Sequence, residues 1–271
     1  MLVAGTLSPK LSAHIGNTLG SGDANGDHHV TVADMVLIVH LEGSENYPPA
    51  ADADGDDTVD ALDVARCRSV VLGELPVILQ VQPERLAPGD ELVVLGQGFG
   101  LDVAHCAVGF SASAGQSVAS PSSVTDTEIH VTVPADAVSG DVEVQGVPDG
   151  PDSNAEFLNA IAGPVSLAQN VQPVFNRYCA AGGCHGGSFP QKGLNLSTTA
   201  SSYAGLVGVT SAEVAPRNRV VKFDSPSSWL MDTHEDPSPS FGDQMPQLLP
   251  PLSTSTIQVL RDWIDQGAAN N

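Results

Sequence analysis

Two acidic twelve-residue loops, 29 positions apart, constrain this chain more than any other feature. Gly22-Asp23-Ala-Asn25-Gly-Asp27-His-His29-Val-Thr31-Val-Ala-Asp34 is echoed by Ala51-Asp52-Ala-Asp54-Gly-Asp56-Asp-Thr58-Val-Asp60-Ala-Leu-Asp63. Oxygen-bearing residues on alternate positions of a tight loop, closed by a carboxylate at position twelve, suit a hard dication with six or seven ligands. The ligand sets expected for two Ca2+ ions are Asp23, Asn25, Asp27, the His29 carbonyl, Thr31 through water and Asp34, then Asp52, Asp54, Asp56, the Thr58 carbonyl, Asp60 and Asp63. An apolar helical run follows each loop, Met35–Leu41 and Val64–Leu72, and Pro48-Pro49 between the copies forbids one continuous helix.

This arrangement resembles the dockerin duplicated calcium-binding fold of secreted bacterial proteins over about residues 20–74. One departure concerns position six, where Gly is usual and His28 and Asp57 stand here. That position tends to be left-handed, which His and Asp tolerate better than branched residues, so the resemblance implies weakened rather than lost affinity. Dockerins of cellulosomes bind cohesins through exposed helix faces; nothing in these residues carries that partner over, and an internal calcium-stapled module is an equal expectation.

Charge sets the environment. The chain carries 10 basic against 32 acidic side chains, a formal charge of −22, concentrated before residue 164. Such a surface repels nucleic acid and anionic lipid, so neither is an expected partner. No apolar run reaches the roughly 20 residues of a membrane span. Met1–Leu7 is too short for a signal-peptide core and lacks a basic start, so residue 1 reads as a mature or truncated start of an exported protein.

Residues 76–162 read as strands: Val77–Val81, Glu91–Leu95, Glu128–Val133 and Asp141–Gln145 are short, β-branched and bounded by Gly, Pro, Asp or Ser. A small antiparallel sandwich is expected. Pro76-Val-Ile-Leu-Gln-Val-Gln-Pro83, Ala87-Pro-Gly-Asp90 and Leu95-Gly-Gln-Gly-Phe-Gly100 resemble an IPT/TIG immunoglobulin-like domain. The resemblance implies that the glycines permit a bend at the strand end and that Phe99 plugs the sandwich. His105 and His130 are isolated and read as surface or core fillers. A Cys67–Cys106 disulfide would tie the first two segments together; two unrelated buried thiols are the alternative.

In the last third, Cys179-Ala-Ala-Gly-Gly-Cys184-His185 places two thiols and an adjacent imidazole within seven residues. That set suits covalent haem c: the thiols add to the two vinyl groups and His185 is held beneath the iron. The common spacing has two residues between the cysteines; here there are four, all of them Ala or Gly. Zinc, with Cys179, Cys184, His185 and His234, lacks a second paired element, and a disulfide beside a chance His is the other alternative. Helices are expected over Val165–Tyr178 and Thr254–Gly267, the latter capped by Ser253 and stopped at Gly267, with a Gly/Pro/Ser-rich stretch between.

Asn170–Cys179, Gly193–Ser197, Met245-Pro246 and Leu252–Ala268 resemble the monohaem cytochrome c domains common in planctomycete-like and other environmental bacteria, over nearly all of 168–269. The resemblance implies Met245 as sixth iron ligand, with His234 competing, and Met231 as core. Phe175 and Trp263 are expected to pack on haem or helix.

The fold class expected is therefore multidomain. A small all-α dockerin-like module (1–75) precedes an all-β Ig-like sandwich (76–162) and a mainly α cytochrome c domain (163–271). One haem c and two Ca2+ are the expected cofactors, and no catalytic cluster is visible. The expected function is one-electron transfer outside the cytoplasm rather than enzymatic turnover. A redox protein or extracellular acceptor is the expected partner. The alternatives are a subunit of a haem-bearing homo-oligomer or filament, or an electron-donating accessory of a secreted redox enzyme.

Overall fold

Each acidic loop runs straight into the helix it primes. The computed structural model describes residues 20–44, 47–56, 58–146, 151–236, 243–247 and 249–271; Met1–Leu7 and Asp57 lie outside them. Helix α1 spans Val32–Leu41 and α2 spans Ala61–Val71. Both begin with a capping box, Thr31 with Asp34 and Asp60 with Asp63, which satisfies backbone donors that an isolated helix start leaves open. The helices enclose a small aliphatic core of Ile38, Cys67, Val70, Val30 and Val59. Val77, on the next strand, belongs to that same core. Gln97 reinforces the junction, its Oε1 accepting from the Val30 amide at 2.6 Å.

Among the described residues nine strands follow: β1 Val77–Gln82, β2 Arg85–Leu86, β3 Glu91–Gln97, β4 Cys106–Ala112, β5 Gly115–Ala119, β6 Ser123–Val124, β7 Glu128–Thr132, β8 Ala137–Gly146 and β9 Ala155–Ala160. They form a four-stranded sheet ordered β1-β3-β7-β6 and a five-stranded sheet ordered β2-β9-β8-β4-β5. Alternation places Leu92 and Val94 of β3 opposite Val131 and Ile129 of β7, all four fully buried. The expected antiparallel sandwich is present, except that β2 pairs with β9 in parallel. Phe99 is buried in its core, and Gly98 and Gly100 take positive φ around it. Gly96 admits no side chain, because a Cβ would stand 2.0 Å from the Val77 carbonyl oxygen on β1.

The expected Cys67–Cys106 bond is not formed. Both thiols are free and buried, Cys67 in the core of the helical module and Cys106 in that of the sandwich. Burial pushes Cys67 up to about 12, with Asp34 adding repulsion, and Cys106 up to about 11.

After the sandwich, a π-helical turn, Leu167–Val171, leads into α3, Gln172–Tyr178. Helices α4 Thr199–Leu206, α5 Trp229–Glu235 and α6 Thr254–Asp265 complete the chain. Ser253 caps α6 by accepting from the Thr256 amide at 3.2 Å, and Gly267 at φ 106° ends it, as expected. The segment is not mainly helical, which corrects the expected class: helix covers fewer than half of residues 163–271. Its Gly/Pro/Ser-rich middle has no long apolar period, so it forms only the short α4 and α5 and otherwise lines a cavity. Phe175, Leu167, Val171, Met231, Leu260 and Trp263 form the core. No described helix is long and apolar enough to cross a membrane.

Strand β9 joins the two cores. Leu158 packs in the sandwich, while Phe157 packs in the C-terminal core, edge-on to Tyr178 with ring centroids 5.7 Å apart. Polar contacts flank it: Asn159 donates to Thr256 Oγ1 at 3.1 Å, and Arg85 pairs with Asp262 at 2.7 Å. At the same seam burial pushes the Glu156 carboxyl up to about 7, from an ordinary 4.5, against the attraction of Arg177. The folded state therefore holds a proton that the unfolded chain has released, and this contribution, complete below pH ~4.5, is lost as pH rises through about 7. Glu156→Gln should leave stability unchanged at pH 4 and raise it by about 1–3 kcal/mol at pH 8, read from urea midpoints of the full chain.

Candidate functional site

Two constellations carry chemistry. In the first acidic loop, Asp23 Oδ1 accepts from the amides of Gly26 and Asp27 at 2.9 and 3.1 Å, and its Oδ2 accepts from His28 at 2.9 Å. The chain thus winds around one carboxylate. His28 takes φ 63°, the left-handed conformation expected at position six. Carboxylate oxygens of Asp23, Asp27 and Asp34 lie within 4.8 Å of one another, and those of Asp52, Asp54 and Asp63 do the same in the second loop. Like charges so close favour protonation or a cation. Burial first, and then neighbouring carboxylates, raise Asp54 above the ordinary range; burial raises Asp63.

The remaining expected ligands divide. Asn25 sits beside Asp27, its Nδ2 donating to Asp27 Oδ2 at 3.1 Å. His29 is exposed and donates its amide to Asp27 Oδ1 at 2.9 Å. Asp56 stays outside the second triad, accepting from the amide and hydroxyl of Thr58 at 2.9 and 2.7 Å. Thr31 and Asp60 cap the helices, accepting from Ala33 and Leu62 at 3.1 and 2.7 Å. The position-twelve carboxylates serve both loop and helix: Asp34 accepts from the Asn25 amide at 3.2 Å and the Thr31 amide at 2.9 Å.

The second constellation is a cavity of about 400 Å3 in the C-terminal segment. That volume lies within the range of cofactor pockets, ~300–1,000 Å3. Helix α3 delivers Phe175, Tyr178 and then Cys179 to its wall. The loop after Cys179 doubles back, His185 N–H donating to the Cys179 carbonyl at 3.0 Å and Cys184 N–H to that of Ala181 at 3.1 Å. Small residues make this closure possible: a Cβ on Gly186 would stand 1.8 Å from the Ala180 oxygen. The four intervening residues are thus absorbed in a tight loop, and Cys179, Cys184 and His185 all line one cavity. Both thiols are free; burial pushes Cys179 up to about 12 and also raises Cys184. His185 Nδ1 lies 3.2 Å from the Leu194 carbonyl oxygen, which leaves Nε2 for another partner. Burial pushes its pKa down, keeping the ring neutral.

Helix α5 lines the cavity with Leu230, Thr233 and His234. His234 is 3% exposed, its Nδ1 lies 2.7 Å from the Leu230 carbonyl oxygen, and its Nε2 is buried without a hydrogen-bond partner. Met245 lines the same cavity and is half-buried; its amide donates to the Thr233 carbonyl at 2.7 Å. Leu194, Leu196, Leu206, Trp229 and Leu249 supply apolar walls, and Arg219 and Lys192 supply positive charge. Phe175 touches the cavity, whereas Trp263 and Met231 belong to the core. Sequence reading named His234 only as a competitor. Its four-residue spacing from Leu230 in an apolar run was the signal that it shares a helix face with the core.

Residues 21–72 match the dockerin type I domain, a class of module that binds calcium, so the likeness covers the two loops and helices and no more of the chain. No curated protein matches the chain. Among solved structures, an auxiliary nutrient binding protein from Bacteroides thetaiotaomicron VPI-5482 is 18% identical over 36% of this chain and 25% of its own, at a TM-score of 0.30. One from Bacteroides ovatus ATCC 8483 is 26% identical over 32% and 21%, at 0.28. A Gamma-CGTASE from alkalophilic Bacillus clarkii is 26% identical over 33% and 13%, at 0.27. The chain spans a quarter or less of each, and likenesses this partial say nothing of what it does.

Proposed function

We propose that this protein is an exported monohaem cytochrome c that passes single electrons, held outside the cytoplasm by a calcium-loaded module and a sandwich spacer. One observation carries the reading: Cys179, Cys184 and His185 line an apolar cavity whose wall also presents His234, with an orphaned buried nitrogen, and Met245. The donor set fits haem c better than zinc: a zinc ion needs its ligand atoms close together, and among the described residues only the two acidic loops gather three such atoms within 4.8 Å.

In this reading the Cys179 and Cys184 sulfurs would hold the haem covalently and His185 Nε2 would be free to ligate its iron, with Leu194 holding the His185 tautomer by accepting from Nδ1. Arg219 would offer charge to the haem carboxylates, Lys192 being paired with Glu213 at 3.5 Å, and the leucine walls would exclude water. When bound, haem would supply a reversible one-electron couple. Electrons go to or come from a redox protein or an extracellular acceptor. The calcium loops accord with that placement, since sites of this type saturate where calcium is millimolar.

A haem-stained denaturing gel with intact-mass measurement, on the full chain exported through a cytochrome-maturation system, tests this. One covalent haem is expected, and Cys179→Ser with Cys184→Ser should abolish it. A wild-type chain that matures without haem ends the proposal.

A second reading, assembly of many copies or docking onto a partner, draws on an exposed stripe of α1: Val32, Val36 and Val39 are 62%, 52% and 49% exposed. Together with the dockerin type I match, the stripe favours a partner-docking face of cohesin type or a contact between copies. Light scattering with calcium and with chelator separates the cases, and a monodisperse monomer in both removes self-assembly. Co-purification of a secreted redox enzyme would instead mark the cytochrome as its electron donor.

A further inference from the structure

Resting on the cytochrome reading above, we infer that His234, and not Met245, supplies the sixth ligand to the iron. A buried imidazole nitrogen without a partner loses its hydration and gains nothing in return, so native proteins seldom leave one. His234 Nε2 is such an atom, on a ring that is 3% exposed and lines the cavity. The Leu230 carbonyl oxygen, 2.7 Å from Nδ1, can only accept, so Nδ1 carries the proton and the Nε2 lone pair is free.

His185 repeats the arrangement. Its Nδ1 faces the Leu194 carbonyl at 3.2 Å, again leaving Nε2 toward the cavity it shares with His234. A metal-ligating His ordinarily has its other ring nitrogen fixed by a carbonyl or carboxylate in this manner. Two imidazoles that line one cavity are each anchored at Nδ1 to a main-chain carbonyl, four or nine residues distant, so each has an Nε2 lone pair to offer a metal.

Met245 has a different place. It is half-buried, and its segment is tied to the end of α5 through the Thr233 carbonyl and through Gln244 Nε2, which donates to the His234 carbonyl at 3.0 Å. Met245 is thus held beside α5 by ties to main-chain carbonyls, on the cavity wall but less buried than His234. A methionine ligand raises the potential of a haem relative to a second histidine, so this assignment gives the protein a lower-potential couple.

The test is the visible, near-infrared and paramagnetic-resonance spectrum of the ferric full-length holoprotein, with covalent haem first established by stain and mass. A low-spin spectrum without the far-red methionine–ferric band is expected, unchanged in Met245→Leu. His234→Met should create that band and raise the midpoint potential, and His234→Ala should turn the iron high-spin. A far-red band in the wild type that vanishes in Met245→Leu overturns the inference, as does a high-spin wild type. The wild-type spectrum decides even if the His234 variants misfold. Absence of covalent haem would instead defeat the cytochrome reading itself.

Discussion

With excess chelator, the two-helix module at residues 20–72 should unfold while the sandwich and C-terminal segment stay folded, and added calcium should restore it. The module is about fifty residues long and has a core of small aliphatic side chains around Ile38 and Cys67. Modules of that size rarely hold together without disulfides, metal or a partner, and Cys67 forms no disulfide. Each loop gathers three carboxylates within 4.8 Å, a repulsion that only a cation removes at neutral pH. With millimolar calcium and a micromolar site, binding stabilises by about 4 kcal/mol per loop. Calorimetry and far-ultraviolet dichroism of the full chain should show a first transition that depends on calcium and a later one that does not. Asp34→Ala or Asp63→Ala should remove about half of the calcium-dependent shift, because each takes a carboxylate from one of the two loops, and should lower the calcium-free stability as well, because each breaks a capping box. A melting profile indifferent to chelator would refute the calcium assignment.

Trp263→Ala should be the most damaging single substitution in the C-terminal segment, at about 3–5 kcal/mol. The indole is fully buried, and its Nε1 donates to the Ala269 carbonyl at 3.0 Å, tying the chain end beneath α6. Removal leaves a large void among Leu167, Val171 and Leu260, and it frees the tail. At 2–4 °C per kcal/mol for a unit of this size, the later thermal transition should fall by roughly 6–20 °C. Trp263→Phe keeps most of the volume but not the donor and should cost about a third as much. Equal losses in the two variants would mean that the hydrogen bond, not the packing, holds this core.

The two acidic loops and their helices were legible because ligand spacing and helix capping fall on the same residues, Asp34 and Asp63. Strands β1, β3, β7 and β8 were legible from β-branched runs. Five others were not: β2 and β6 are only two residues long, too short to carry a pattern. Strand β4 buries five consecutive residues from Cys106, β5 is a polar edge, and β9 is buried on both faces, so none shows the alternation a half-exposed strand writes into sequence. The short α5 starts without a side-chain cap, which hid the helix that carries His234. The free thiols Cys67 and Cys106 lie in different cores, a fact that spacing along the chain cannot express. The cavity was legible only in part. Its cysteines and adjacent His stand out as a motif, but the far wall is assembled from residues 30 to 60 positions later, through loops without period.

Strand β9 also bears on how such a chain can be recombined. A gene fusion that joined the C-terminal segment to a foreign partner at Gly163 would leave Phe157 behind, with an apolar groove against Tyr178 and unmatched groups at Thr256 and Asp262. Residues 76–271 therefore form the smallest piece that can be moved between proteins intact, whereas the helical module meets its neighbour mainly through Val77 and Gln97. Shuffling should exchange the front of the chain readily and keep the sandwich and the cavity together.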